Sequence, residues 1–346
     1  MRIRENKKYL NEISLFSNSL DLSFFDNKSI LISGACGLVM SYFIDTLLAH
    51  KDLNCRIFAI IYSDTDKERF SSCDKRLNFL YGDVTDLNVF KGFNEKVDII
   101  ISGASIVDPK GYKEKPIETM TINILGTKNL LDIASRNNAV FLLISSCEVY
   151  GISGEDSLSE ESYGIVDPLD VRSCYNESKR ASETLAVSYA TEKGIKCLIA
   201  RLSRTFGPTQ SPKDTKALSQ FMRNAILGEN IVLKSDGEQI FSYTYVQDIV
   251  RGLLVILTKG SNMNAYNVCN RETLRLKEIA EICSSYKNEK VSFDLSDDGL
   301  NKAGYSKTRF AIQDPSKLEE LGFKAVVPLK DAILNTIEIL DELYYR

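Results

Sequence analysis

The stretch Ser29-Ile30-Leu31-Ile32-Ser33-Gly34-Ala35-Cys36-Gly37-Leu38-Val39-Met40 decides how the rest of the chain is read. Its first five residues predict a short buried strand, Gly34 and Gly37 a tight turn, and the apolar run from Leu38 to His50 a helix. In that order the helix presents its free N–H groups and positive dipole end above the turn, which is what a dinucleotide pyrophosphate requires. Outward from this unit the same order repeats. Strand patterns at 56–62, 78–81, 97–102, 140–145 and 196–201 alternate with helical ones at 116–136 and 175–193. Strict alternation implies an α/β fold, a doubly wound parallel sheet of Rossmann type with its ligand at the strands' carboxyl ends. Beyond Leu202 the pattern loosens, with helices expected at 217–227, 246–258, 276–286, 315–321 and 329–343 and strands at 231–233, 239–245 and 264–268. The expected organisation is therefore an extension over 1–26, a dinucleotide-binding domain over 27–201, and a smaller, mixed α/β substrate-binding lobe over 202–346 interleaved with the last sheet strands.

Composition narrows the function class. The chain has 346 residues, 44% hydrophobic and 26% charged, with room for one large domain or two coupled ones. A net charge of −4 and scattered basic residues argue against a nucleic-acid partner. No apolar run is long enough to span a membrane, and the charged N-terminus lacks the apolar core of a signal peptide, so a cytoplasmic protein is expected. Tyr9, Leu10, Ile13, Leu15 and Phe16 predict a short amphipathic helix that either caps the domain or meets a partner subunit. The eight cysteines form no C-x-x-C pair and read as reduced, small apolar residues. His50 is the sole histidine, which excludes a multi-histidine metal site; no metal is expected.

The chemistry concentrates between Ser145 and Arg180. The segment S-S-C-E-V-Y-G at 145–151 follows a buried-strand pattern, placing Ser146 and Glu148 where a strand opens into a loop. In C-Y-N-E-S-K-R at 174–180, Tyr175 and Lys179 are four residues apart, hence on one helix face. A tyrosine alone is a poor base at neutral pH, but a nearby ammonium group favours the phenolate. Ser146 would then hydrogen-bond the hydroxyl that Tyr175 deprotonates. Taken alone, Y-x-x-x-K equally suits an amphipathic helix with one core edge and one solvated head.

Together these segments resemble the extended short-chain dehydrogenase/reductase family, which contains nucleotide-sugar epimerases, dehydratases and decarboxylases. The resemblance runs from about Lys28 to near the C-terminus. It implies that Tyr175, Lys179, Ser146 and Glu148 are catalytic, with Tyr175 and Lys179 also binding the cofactor and Ser146 and Glu148 the substrate, that the cofactor is NAD, with NADP left open, that the substrate is a nucleotide-diphosphate sugar, and that the protein is a homodimer. The family's first turn reads G-x-x-G-x-x-G. Here Gly34 and Gly37 match, flanked by Cys36 and Leu38, but Met40 holds the third place, which puts close helix-on-strand packing in doubt. Gly82-Asp83-Val84-Thr85-Asp86 resembles the family's adenine contact, with Asp83 and Val84 in the cofactor-binding places. After the fourth strand, Ser102, Gly103 and Ala104 stand where relatives bring backbone close to the cofactor, and Asn123 lies in a family-like N-I-L-G-T. Asp64 falls late for the ribose contact that NAD-preferring members make.

Within the family, D-P-L-D-V-R-S-C-Y-N-E-S-K-R-A-S-E-T-L resembles the UDP-glucuronate decarboxylases more than the 4-epimerases, as does A-S-I-V-D-P-K-G-Y at 104–112. Glu148 would lie near the sugar carboxyl end. A 4,6-dehydratase needs an acid where this chain has Cys147, a poor acid at neutral pH, so that branch is disfavoured. Two positions depart from the family together. Gly237-Glu-Gln-Ile-Phe241 has Phe where relatives carry arginine, and Arg204 stands where relatives carry asparagine. A compensating swap puts Arg204 on the substrate diphosphate, with Arg309 as a second clamp; otherwise Arg204 is a solvated loop residue. A non-catalytic dinucleotide-binding sensor is the reading from a different class, and retention of both Tyr175 and Lys179 counts against it.

Overall fold

The computed structural model describes residues 3–70, 74–295 and 310–344. Its strands are β1 (Ser29–Ser33), β2 (Arg56–Ile61), β3 (Leu77–Tyr81), β4 (Ile99–Ser102), β5 (Val140–Ser146), β6 (Cys197–Leu202), β7 (Arg204–Phe206), β8 (Ile231–Leu233), β9 (Ile240–Tyr245), β10 (Asn264–Val268), β11 (Thr273–Arg275), β12 (Val291–Phe293) and β13 (Phe310–Ala311). The helices are α1 (Lys7–Asn18), α2 (Leu38–Ala49), α3 (Asp64–Lys67), α4 (Pro109–Glu114), α5 (Pro116–Thr121), α6 (Thr127–Asn137), α7 (Ser173–Lys193), α8 (Ala217–Leu227), α9 (Val246–Lys259), α10 (Leu276–Ser284), α11 (Ser316–Glu319) and α12 (Leu329–Tyr344).

Seven strands form one all-parallel sheet in the order β10-β6-β5-β4-β1-β2-β3. Strand side chains alternate between faces, and here both faces are apolar because helices cover both. Ile30, Ile32, Ile99 and Ile101 enter one layer of the core, while Leu31, Ile60, Ile100 and Leu143 enter the other. Neighbours of β1 are β2 on one side and β4 on the other, so sheet growth reverses there and a crevice opens beyond the carboxyl ends of β1 and β4.

A second, smaller sheet is built on β9, with β11 antiparallel along one edge and β7 and β13 parallel on the other. One residue, Ser203, separates β6 from β7, so the chain leaves the main sheet directly into the small one beside the ends of β5 and β6. That hand-over places Arg204 and the β9 side chains near the loop that follows β5.

Two expectations are modified. The helix expected over 116–136 is α5, a wide π turn at Ile122–Gly126, and α6. Gly126 sits in that turn against Val84, where an added Cβ would lie 2.7 Å from the valine side chain. The amphipathic N-terminal helix caps the domain. Tyr9, Ile13 and Phe16 of α1 are buried against α2, while Leu10 and Leu15 face outward. Glu12 accepts hydrogen bonds from Tyr42 (2.7 Å), Tyr245 (2.8 Å) and Asn335, tying α1 to α2, β9 and α12.

Candidate active site

The residues expected to hold a dinucleotide converge at the crevice. Gly34 has φ +67°, and a Cβ there would lie 2.5 Å from the Gly103 carbonyl oxygen, so both its conformation and its neighbour demand glycine. The amides of Gly103 and Ala104 donate to the Ser33 hydroxyl at 3.1 and 3.2 Å, locking the end of β4 to the end of β1. Gly37 is the N-cap of α2, which has no side-chain cap, so its first-turn N–H groups remain available for an anion. Met40, the departure from the glycine pattern, is fully packed. An added Cβ on Gly103 would lie 2.8 Å from Met40 Cγ, so the missing side chain at Gly103 makes the room that a third glycine would otherwise supply. Thus the close packing placed in doubt by Met40 is preserved by a compensating residue on the next strand.

Toward the other end of the crevice, Asp83 accepts from the Thr85 amide and hydroxyl (2.8 Å each) and from the Tyr62 hydroxyl (3.4 Å). It borders a cleft of about 370 Å³ shared with Thr85, Glu114, Lys115, Glu118 and Thr121. Val84 is buried, and its carbonyl accepts from Asn129 (3.0 Å). Asp66, not Asp64, receives the Tyr62 and Ser63 amides at the end of β2 (3.1 and 3.2 Å). The Asp64 side chain lies outside the described residues. Cys36 is half-buried, and burial together with the Asp66 charge pushes its thiol up to about 12, so it is a spacer rather than a nucleophile. The Ser102 hydroxyl meets that of Thr127 at 3.4 Å. Asn123 donates to Ser178 (2.8 Å) from the π turn and keeps a buried, unpartnered Oδ1. A glycine cradle that a Cβ would fill, an uncapped helix start and an orphaned amide oxygen all suit a bound dinucleotide, which Gly34, Gly37, Leu38, Gly103, Ala104 and Asn123 would hold.

At the reacting end, Ser146 closes β5 and Tyr175 opens α7. The Ser146 hydroxyl accepts from the Glu148 amide at 3.2 Å and lies on the side of the Tyr175 phenol, whose acidity it increases. Lys179 lies one turn on, its Nζ 5.8 Å from the Tyr175 ring centre and donating to the Ile144 carbonyl at 2.8 Å. The expected effect of the ammonium on the phenol is not what the geometry gives. Burial raises the Tyr175 phenol well above its ordinary value, partly offset by the Ser146 hydrogen bond. Lys179 is itself buried, which lowers its ammonium to about 8 against the opposing Glu183 charge, and its proton is committed to a main-chain oxygen. Desolvation is the largest influence on both groups.

Glu148 is the fixed charge of the site. Burial pushes its carboxyl up, but Arg172 and Arg204, together with hydrogen bonds from Arg172 and Asn176, more than reverse this and hold it below the ordinary carboxylate value. The Arg172–Glu148 ion pair is 3.0 Å long, and Asn176 donates to the Glu148 carbonyl at 2.7 Å. Arg172 also lies over Tyr112, which stacks on Tyr175 with ring centres 4.7 Å apart. Arg172, Asn176 and Tyr112 were visible only as family-like wording around Tyr175 and in the 104–112 loop, since neither a helix start nor a loop pattern says which side chain turns inward. Arg204 is close enough to bias Glu148 and Cys147; Arg309 lies outside the described residues. The Cys147 thiol is driven by burial, and by its neighbour Glu148, up to about 11.

Comparison with known proteins gives the family and the fold. The model of the NAD dependent epimerase/dehydratase family matches residues 30–269. The chain is 32% identical over 310 residues to UDP-glucuronic acid decarboxylase 3 of Arabidopsis thaliana, covering 89% of this chain and 87% of that one. Among solved structures, an epimerase from the methanogen Methanothermobacter thermautotrophicus superposes with TM-score 0.81 at 20% identity, covering 97% of both chains. The UDP-glucuronic acid 4-epimerase of Bacillus cereus, solved in complex with UDP-glucuronic acid and NAD, superposes with TM-score 0.76 at 22% identity over 91% of this chain and all of that one (100%).

Proposed function

The chain belongs to the NAD-dependent epimerase/dehydratase family, and within it we propose that it decarboxylates a UDP-linked hexuronate through transient oxidation at sugar C4. The observation that carries this reading is the pair Cys147-Glu148. Elimination of a C6 hydroxyl calls for an acid where Cys147 stands, and a thiol pushed up to about 11 is far too weak a one at neutral pH. Glu148, held ionised by Arg172, is equally unable to donate a proton. Decarboxylation needs neither. Once C4 is a ketone, a C5 carboxylate is that of a β-keto acid; CO2 leaves with its electrons taken up by the carbonyl, and the enolate takes a proton from water at C5 before the C4 ketone is reduced.

The residues then divide the work. Tyr175 takes the proton from the C4 hydroxyl while Ser146 holds that oxygen in place; burial disfavours the phenolate this needs, and the Ser146 hydroxyl, with the positive charge of a bound oxidised NAD, would favour it. Lys179 stands behind the phenol with its proton on Ile144, one turn from the base. Glu148, immobilised by Arg172 and Asn176, fixes the sugar's orientation, and the Tyr112–Tyr175 stack shields the base from water. NAD supplies the hydride acceptor at C4 and the hydride donor that closes the cycle. The similarity to UDP-glucuronic acid decarboxylase 3 supports the reaction class. A 4-epimerase acting on the same kind of sugar is the second reading, favoured by the structural likeness to the Bacillus cereus enzyme. The test is release of CO2 from UDP-glucuronate: the proposal expects one CO2 per substrate consumed, whereas conversion with all carbon conserved would assign the chain to the epimerases.

A further inference from the structure

Arg204 and Phe241, the two departures that the sequence shows separately, meet in space. Strands β7 and β9 run parallel with Arg204 opposite Tyr243, so Phe241, two residues earlier on β9, lies diagonally on the same face. The Arg204 guanidinium sits over the Phe241 ring, 3.6 Å from its centre. A guanidinium laid flat on an aromatic face keeps its N–H edge free for a planar, two-oxygen acceptor. Among the described residues no carboxylate lies within ion-pair distance of Arg204, its Nε is buried without a hydrogen-bond partner, and the group close enough to hydrogen-bond it is the neutral Tyr243 hydroxyl. Glu148, the nearest acidic group of the site, is already held by Arg172.

We infer that Arg204 binds a carboxylate at the reacting end of the substrate and thereby selects a uronic-acid nucleotide over a neutral one. This rests on the proposed sugar-nucleotide chemistry and revises the expectation that Arg204 meets the diphosphate. In a nucleotide hexuronate the carboxyl carbon is attached to C5, beside C4, whereas the diphosphate hangs from C1 on the far side of the ring. Leu202 pairs with Ser146 in the main sheet and Arg204 follows two residues later, on the side of Cys147 and Glu148, both of which feel its charge, next to Ser146 and Tyr175 that would hold the C4 hydroxyl. A cation in that place is beside C5, not C1. The swap also keeps a guanidinium over the same patch of small sheet: Phe241 removes one from β9, and Arg204 supplies one from the adjacent strand.

The experiment measures dissociation constants of UDP-glucuronate and UDP-glucose on the NAD-loaded protein, for the wild type, Arg204→Gln, Arg204→Lys and the double variant Arg204→Asn with Phe241→Arg. Loss of one charge-assisted, two-oxygen contact should weaken UDP-glucuronate about 10- to 100-fold in Arg204→Gln and leave UDP-glucose within about threefold. Arg204→Lys should keep part of the preference, and the double variant should regain part of it. NAD retention reports whether each variant is folded. Equal weakening of both nucleotides would place Arg204 on the diphosphate and overturn the inference, as would no change in either. Should a variant fail to fold, the wild type still decides, because equal affinity for the two nucleotides contradicts a carboxylate-reading arginine. If the preference is found without CO2 release, the reaction assignment falls and this inference stands.

Discussion

The two ends of the crevice depart from the family pattern in the same way and for different physical reasons. At the cofactor end Met40 brings in a side chain where a glycine is usual, and Gly103 leaves one out on the facing strand. At the substrate end Phe241 leaves out a cation and Arg204 brings one in from the neighbouring strand. The first exchange conserves volume and the second conserves charge. Close approach of backbone to a dinucleotide is a steric demand, satisfied by whichever residue gives way. Holding an anion is an electrostatic demand, satisfied from any strand that reaches the spot.

The largest effect that sharpens this contrast is at the substrate end. Tyr175→Phe should lower turnover by about 10²- to 10⁴-fold with NAD retention unchanged, as loss of an acid–base group does; a variant with near wild-type turnover would remove Tyr175 from the chemistry. At the cofactor end Gly34→Ala should abolish NAD retention and destabilise the fold by at least about 2 kcal/mol. Its Cβ would run into the Gly103 main chain at 2.5 Å, in a left-handed conformation that alanine resists. Gly37→Val meets only the Gly34 carbonyl, at 3.1 Å, so it should cost the cofactor more than the fold. Thermal unfolding with and without added NAD separates the two.

Lys179 yields a smaller, pH-dependent effect. Its folded pKa of about 8 is below that of a free lysine, so the unfolded chain binds more protons between the two values, and the lysine's cost to stability is relieved as pH rises from about 8 toward 10.4. Lys179→Met should therefore be more stable than wild type at pH 7, by on the order of 2 kcal/mol, with the difference shrinking by pH 10. Urea unfolding at both pH values checks the sign. The smallest effect tests the steric exchange. Gly103→Ala should cost about 1–3 kcal/mol by overpacking against Met40. In the Met40→Ala background it should cost less, though not nothing, because the Ser33 carbonyl at 2.9 Å remains in the way.

The doubly wound sheet was legible because its strands are apolar on both faces and its connections are helical, a pattern that periodicity alone carries. Ser146, Tyr175 and Lys179 were legible because their spacing is set by one strand end and one helix turn. The Arg172–Glu148 pair, the Tyr112 stack and the Arg204–Phe241 contact were not, since each joins segments far apart in sequence whose approach depends on the third dimension. The π turn at Ile122–Gly126 hid for a related reason: one extra residue in a helical turn leaves the apolar periodicity almost unchanged.

Mass analysis of the product made from UDP-glucuronate carrying deuterium at C4 and carbon-13 at the carboxyl tests oxidation at C4 and loss of the carboxyl together. A pentose nucleotide that has lost its carbon-13 and kept its deuterium is the predicted result, because the hydride removed from C4 is returned to the same carbon. A product that retains the carbon-13, or one that loses it with deuterium exchanged into water, would contradict decarboxylation through a C4 hydride held on the enzyme.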